Sequence, residues 1–464
     1  MKRTLFETDW IASRTVFYHE KTGKVSQNIN DVIDYANLEI DPEGFNNYLD
    51  FGYSILEQTP VKYVKFLRYS SRLLIDDKGI LSVEYLDDPA DTWLDRIYTE
   101  EEIFDLIQSK IRAWEHTVEG EIIIPTSGGY DSRLLNSMIE EKSRIRSFTY
   151  GISEDQSESF EVVYARCLSE ILGTKWEQIP LGDFHKYFDD WDRIFGVSTH
   201  AHGMYHIEFY KKMVSRVKGN NAFLSGIFGD VWAGSVFIPK LKNQKDIIKL
   251  SYSHGLCADS RQSRLSSKRP KLSQYWETNK KKLEDERLRV LATIRLKIRL
   301  ISYLIIVPEQ FCFKPWSPFL DIEVAMAMLN LPHERRKNRI WMKEYFQRKG
   351  LDIESGVIDA SRQNVLDLSA LRRIPVVPLD VDVLQEVINP AYVKWINNNV
   401  KNNNVTTNNQ MVSKLLNIPK VGGILRLLGI GKNKQLEAYN AYLVLLPIEK
   451  LLKRCNKQKR EMIK

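Results

Sequence analysis

The stretch that most constrains this chain runs from Glu121 to Asn136 and reads EIIIPTSGGYDSRLLN. Ile122, Ile123 and Ile124 predict a short strand buried in a sheet covered on both faces. Pro125 and Thr126 stop the run. Ser127, Gly128 and Gly129 are too small to block a ligand, and Asp131 and Ser132 open a helical pattern continued by Leu134, Leu135 and Met138. The prediction is therefore strand, tight turn, helix N-terminus. Unpaired backbone N–H groups and the positive end of the helix dipole suit an anion there, above all a phosphate, and Ser127 and Ser132 add hydroxyl donors. A carboxylate at Asp131 would repel a phosphate unless a divalent cation bridges them, and magnesium is the favoured choice. Glycine-rich turns after apolar strands are also common connectors, so this stretch alone leaves the connector and nucleotide readings both open.

Composition narrows the class. With 464 residues, 43% hydrophobic and 27% charged, the chain reads as a globular protein of two or three domains. The net charge of +7, from 67 basic and 60 acidic residues, is too small for a dedicated nucleic-acid surface, and nucleic acid is not an expected partner. Cys167, Cys257, Cys312 and Cys455 are scattered without CxxC spacing. That argues against a zinc ribbon or a disulfide framework and for a reducing, cytoplasmic setting. The first residues, MKRTLFETDW, are not followed by an apolar run, and no stretch reaches the roughly 18 apolar residues of a membrane span.

Residues up to about Asp91 mix short alternating segments with turn signals and predict a small β-rich or mixed region. Beyond the opening stretch, strand-like and helical patterns alternate as in a doubly wound α/β domain. Arg144–Gly151 reads as a strand and Glu161–Leu172 as an amphipathic helix ended by Gly173. The backbone of Phe148 to Gly151 is the expected edge for an adenine, because ligands sit beyond the carboxyl ends of parallel strands. A second apolar strand enters a turn at AFLSGIFGDVWAGS, placing Ser225, Gly226, Gly229 and Asp230 after it. Carboxylates from two separate strand ends, Asp131 and Asp230, can share one magnesium with nucleotide phosphates. His200, His202 and His206 form an H-x-H-x3-H cluster, but no acidic or Cys ligand lies close in sequence, so pocket lining or a solvated face is preferred to a metal. Lys240 to Arg299 is helical and basic. Val400–Gln410 is an Asn-rich loop, and 414–432, KLLNIPKVGGILRLLGIGK, reads as packing rather than as a membrane-surface segment. Helical pattern resumes from Leu436 to Leu452, ahead of a basic tail expected to fray.

SGGYDS matches the SGGxDS signature of the PP-loop ATP pyrophosphatases and lacks the Lys of a Walker loop. Within that superfamily the chain resembles the synthetase domain of asparagine synthetases and their relatives, the β-lactam synthetases and lasso-peptide cyclases. These activate a carboxylate as an acyl-adenylate and pass it to an amine. Glu161, Tyr164, Ala165 and Arg166, then Leu172, Gly173 and Thr174, repeat the family's order after its second strand, and Pro318-Phe319-Leu320-Asp321 matches its PFLD, with Asp321 as helix N-cap.

The resemblance implies an α/β fold: a doubly wound, mainly parallel sheet of PP-loop type with an added helical region. A small β-rich or mixed N-terminal region precedes it. The implied division is 1–95, similar to the edge of a glutaminase but without its nucleophilic cysteine; 96–380, the ATP-binding synthetase domain; and 381–464, a helical extension. ATP is expected on Ser127, Gly128, Gly129, Asp131, Ser132, Ser225, Gly226 and Gly229, with magnesium on Asp131 and Asp230. The expected partners are a small carboxylate, possessed in one reading by a sugar acid of a bacterial surface polysaccharide, and an amine, with ammonia from solution or from a separate subunit. His202 is the member of the histidine cluster expected to contact substrate. The chain departs from the family at Phe228, which replaces a glycine, and at Val231, which replaces an acid. Lys314 falls where the family has its catalytic glutamate, and Asn364 where it has its lysine. Glu309 and Lys343 are the alternative pair, so Lys343, Lys314 and Glu309 are the catalytic candidates. A nucleotide-binding relative without catalysis and a tRNA-modifying PP-loop enzyme are the competing readings.

Overall fold

The computed structural model describes residues 2–218, 222–253, 255–356, 359–401 and 433–463. The N-terminal residues form two small antiparallel sheets. In one, β1 (Arg3–Glu7) and β6 (Leu81–Tyr85) flank β5 (Ser71–Ile75); in the other, β3 (Val25–Ser26) and β4 (Val64–Phe66) flank β2 (Phe17–His19). Between them, the helix Pro42–Phe51 starts on Asp41, whose carboxylate accepts the Glu43 and Gly44 N–H groups.

The central sheet has five parallel strands: β7 (Ile122–Pro125), β8 (Ile145–Thr149), β9 (Lys175–Gln178), β10 (Ala222–Leu224) and β11 (Lys314–Trp316). Their spatial order is β11-β10-β7-β8-β9. The chain thus builds outwards from β7 through β8 to β9, then crosses back to lay down β10 and β11 on the other side. The reversal falls between β7 and β10, the place where open α/β sheets leave a crevice beyond their strand ends.

Alternation along these strands feeds two cores. Ile122, Ile124, Ile145, Ala222 and Leu224 face a layer with Ile107, Leu134, Leu168 and Met326. Ile123, Phe148 and Phe223 face the other, with Ile207, Phe209 and Tyr439. Helices Glu100–Glu115, Tyr130–Met138, Phe160–Leu172 and Ile322–Leu329 supply the first layer, and Met204–Val214 and Lys434–Ile463 the second. The sheet is covered on both faces, as its β-branched strands require.

The N-terminal region shares these cores. The Tyr48 hydroxyl donates to the Val444 carbonyl (3.1 Å), and Trp10 Nε1 donates to the Leu320 carbonyl (2.9 Å) with its ring 5.8 Å from that of Trp232. The expected frayed tail is instead the end of the 30-residue helix Lys434–Ile463. Its buried half, with Tyr439, Leu443, Leu451 and Cys455, nucleates the helix, and propagation from a formed helix costs little. The Asn-rich loop from 402 onward and the 414–432 segment lie outside the described residues. Among the described residues no helix is long and apolar enough to cross a membrane.

Candidate functional site

The turn after β7 has the predicted form. The helix Tyr130–Met138 begins on Gly129, and Ser132 Oγ closes the turn, accepting the Ser127 N–H (3.3 Å) and donating to the Gly129 carbonyl (3.2 Å). Gly128 has φ +68°, and a Cβ there would stand 2.3 Å from Tyr164 Cβ. Only glycine fits against the helix Phe160–Leu172 at that point. Thr126 N–H donates to the Phe148 carbonyl (2.9 Å), so the turn leaves the sheet in step with β8.

The second turn follows β10 and meets the first. The Ser225 N–H donates to the Trp316 carbonyl (2.8 Å), and Ser225 Oγ accepts the Ile227 N–H (3.3 Å). Phe228 sits at φ +67°, the left-handed region that favours glycine, and its buried ring packs 5.9 Å from Trp232. A Cβ on Gly229 would lie 2.7 Å from the Phe319 ring and 2.9 Å from Asp131 Cγ. The absence of a side chain there lets Asp131 reach the second turn: its Oδ2 accepts the Asp230 N–H at 2.7 Å. Phe319, of the PFLD segment, is the floor beneath this contact, and its carbonyl accepts the Trp232 Nε1 proton (3.0 Å).

Two acids therefore stand side by side. Burial, and then the neighbouring Asp230, push the Asp131 carboxyl well above the usual carboxylate range. Its buried Oδ1 has no donor among the described residues, whereas Asp230 Oδ2 accepts the Ser235 hydroxyl (2.8 Å). A cation between the two carboxylates would relieve both the desolvation and the repulsion. An orphaned carboxylate oxygen beside a second carboxylate fits a hard divalent ion. Among the described residues no three His, Cys, Asp or Glu groups converge on one metal position. Such an ion would need water or ligand oxygens as well.

Sequence reasoning missed three side chains here. The first is Arg339, half-buried, with its guanidinium 4.7 Å from the centre of the Tyr130 ring and close enough to lower the Asp131 pKa electrostatically. It follows Asn338, and both have positive φ (56° and 54°), a costly backbone that holds the side chain at the start of the helix Ile340–Arg348. The second is Arg133, fully buried, which donates to the Gly128 carbonyl (2.8 Å), the Leu351 carbonyl (2.9 Å) and both Glu354 oxygens (2.9 and 2.8 Å). It ties the first turn to a distant segment. The third is Glu161, pushed up to about 7 by burial, with Oε2 lacking a donor among the described residues. Arg362 is the cation that acts on it and donates to the Tyr164 hydroxyl (3.2 Å), on the same helix that packs against Gly128 through Tyr164. The only signal for these in the sequence was the acid of the E-x-x-Y-A-R segment.

The expected catalytic candidates are not gathered at the turns. Lys314 is exposed and pairs in register with Ala222, itself level with Ile122, so it stands at the amino end of the sheet while Ser127 follows the carboxyl end. Glu309 lies still earlier, in the helix Tyr303–Gln310, where Arg14 engages both its oxygens (3.0 and 2.5 Å). Lys343 is exposed on the helix Ile340–Arg348 and Asn364 is exposed after Arg362. Ser225, Gly226 and Asp230, with Ser127, Gly128, Gly129, Asp131, Ser132 and Gly229, are brought together.

The three histidines form an aromatic seam. His200 and His206 are held down to about 3 by burial, and His200 Nε2 and His206 Nδ1 have no partner among the described residues. The His206 ring packs against Tyr205 (4.2 Å) and Tyr303 (4.6 Å), and His202 Nε2 lies 3.1 Å from Asp367 Oδ2. Tyr150, just after β8, joins the seam 6.2 Å from His206. Compared with family models and with curated proteins, the chain matches none.

Proposed function

We propose that this chain is an ATP-dependent, AMP-forming carbon–nitrogen ligase, a PP-loop enzyme of asparagine synthetase type on a doubly wound sheet. The observation that carries the reading is the meeting of SGGYDS and SGIFGD at the reversal of strand order, with Asp131 accepting the Asp230 N–H. The turn's backbone N–H groups and the Ser127 and Ser132 hydroxyls would cradle the β- and γ-phosphates. Arg339 would draw the charge that grows on departing pyrophosphate, and Arg133 would hold Gly128 in the one conformation that leaves room for it. Magnesium, when bound on Asp131 and Asp230, would supply positive charge against the phosphates.

In the first half-reaction a carboxylate oxygen of the substrate attacks the α-phosphorus and pyrophosphate leaves. In the second, an amine attacks the acyl carbon and AMP leaves, while a base takes the amine's proton. Glu161, pushed up to about 7 by burial, suits that last role. The amine could be ammonia, an amino compound or a group delivered by a separate subunit, and a sugar acid is the carboxylate to try first.

One observation favours a second reading, a nucleotide-binding protein that has lost catalysis: Glu309 is engaged by Arg14, and Lys314, Lys343 and Asn364 are all exposed. Pyrophosphate release over a panel of uronic acids, amino acids and amines separates the two. Release with any acid supports the ligase, and nucleotide binding with no release from any acid supports the second reading. In the ligase, Asp131→Ala and Asp230→Ala each abolish magnesium-dependent release, whereas full activity in either variant removes the shared-ion site.

A further inference from the structure

Away from the turns, Arg299 is 2% exposed, yet Nε and Nη1 have no hydrogen-bond partner among the described residues. Its Nη2 donates to the Ala12 carbonyl (3.1 Å), and its guanidinium stacks 4.8 Å from the centre of the Phe66 ring. A buried cation with unused donors costs several kcal/mol unless something neutralises it. Ala12, Phe66 and Arg299 all line a cavity of about 560 Å³ between the N-terminal strands and the helix Glu286–Ile301, a volume typical of sites for small organic ligands.

The cavity's other charges are largely accounted for. Arg295 is paired with Asp88 (2.5 and 2.7 Å) and Lys282 with Asp91 (2.8 Å). Glu57 accepts the Tyr85 hydroxyl (3.0 Å) and faces Arg68. Asp87 is exposed. Arg68 lies 4.2 Å from the centre of the Tyr85 ring and also keeps a buried Nε without an acceptor among the described residues. What remains is Arg299, which has Asp9 as a nearby charge but leaves two donors unused among the described residues, then Arg68 with a spare donor and the exposed Lys271, within walls that are aromatic and aliphatic, from Tyr69 and Tyr275 to Leu291 and Leu296.

We infer that this cavity is a second binding site, for an organic monocarboxylate with an apolar body. The carboxylate engages Arg299 with help from Arg68, and the apolar body lies along the aromatic wall. The unused Nε–H and Nη1–H groups of Arg299 match the two oxygens of a carboxylate. Arg299 also lines a smaller cavity of about 370 Å³ with Arg14 and Glu309, but that one lacks Arg68 and the tyrosine wall.

Saturation-transfer NMR and calorimetry on the full chain test this with octanoate, 4-phenylbutyrate and indole-3-butyrate against their neutral amides. The site predicts that at least one acid binds at millimolar or lower concentration, that its amide binds at least tenfold more weakly, and that Arg299→Met and Arg68→Met each weaken the acid by tenfold or more. Arg68 is the less buried of the two, so Arg68→Met keeps the test available if Arg299→Met fails to fold. No binding by any acid, equal binding of acid and amide, or loss on Arg299→Met with no change on Arg68→Met would overturn the assignment. The last result would put the ligand in the smaller cavity. None of these outcomes depends on ATP turnover.

Discussion

Asp131 is the residue on which the site turns, and its position is a trade between stability and chemistry. Burial and Asp230 raise its carboxyl above the unfolded value, so the folded state binds more protons there and this residue's contribution to stability falls as pH rises. Asp131→Asn keeps an oxygen that can accept the Asp230 N–H and removes the charge. It is expected to raise the urea midpoint at pH 7 while removing magnesium-dependent nucleotide binding; a lower midpoint would mean that the buried charge is already compensated. Phe228 poses the opposite balance. Its left-handed backbone costs about 1–2 kcal/mol, but deleting a buried phenyl ring costs about 3–5 kcal/mol. Phe228→Gly should therefore destabilise by about 2 kcal/mol in urea titration, although it installs the glycine that the turn's geometry favours, and a gain in stability would contradict this ordering of the two effects. The motif residues were legible because their chemistry is local: small side chains, an acid and a hydroxyl within one turn. Arg339, Arg133 and Glu161 were not, because each acquires its role from a partner remote in sequence or from burial, neither of which a local pattern displays.

At the scale of elements, strand, turn and helix at 121–138 and the helix to Leu172 were readable from β-branched runs and from apolar spacing at helical period. The PFLD segment was also readable: Asp321 caps the helix Ile322–Leu329, accepting the Glu323 N–H (2.9 Å). Phe319, in the same segment, has a role that no capping argument reveals, as the surface against which Gly229 packs. The clamp from Arg133 to Glu354 couples the first turn to the segment after Ile340–Arg348. Arg133→Met leaves the buried Gly128 carbonyl without that donor and should cost about 3 kcal/mol, with nucleotide affinity falling alongside; unchanged affinity would show that the turn holds its shape unaided. The segment entering the helix Met204–Val214 carries a pH signature. His200 and His206 fold neutral, with pKa values lowered to about 3, while the unfolded chain takes protons near 6.5. Their contribution makes stability fall as pH drops from about 6.5 towards 3. The double variant His200→Gln, His206→Gln should show a flatter acid limb than the parent in urea titrations at pH 7 and pH 5, and equal slopes would contradict their burial as neutral rings.

For the whole molecule, parallel strands with intervening helices were an expectation from alternation alone, whereas the order β11-β10-β7-β8-β9 was not readable, since strand neighbours are chosen by long-range packing. That order is what brings two separate glycine-bearing turns into contact. The N-terminal strands and the last helix were read as units at either end, yet both contribute to the cores beneath the sheet, with Tyr48 and Val444 joined across almost the whole chain. The central claim is that the crevice between β7 and β10 takes one nucleotide with its cation. Calorimetric titration of the full chain with ATP, with and without magnesium, tests it most directly. The account predicts a single magnesium-dependent site that is lost in Asp131→Ala and in Asp230→Ala and weakened in Arg339→Met. Absence of ATP binding in the parent chain, or unchanged binding in both aspartate variants, would contradict it.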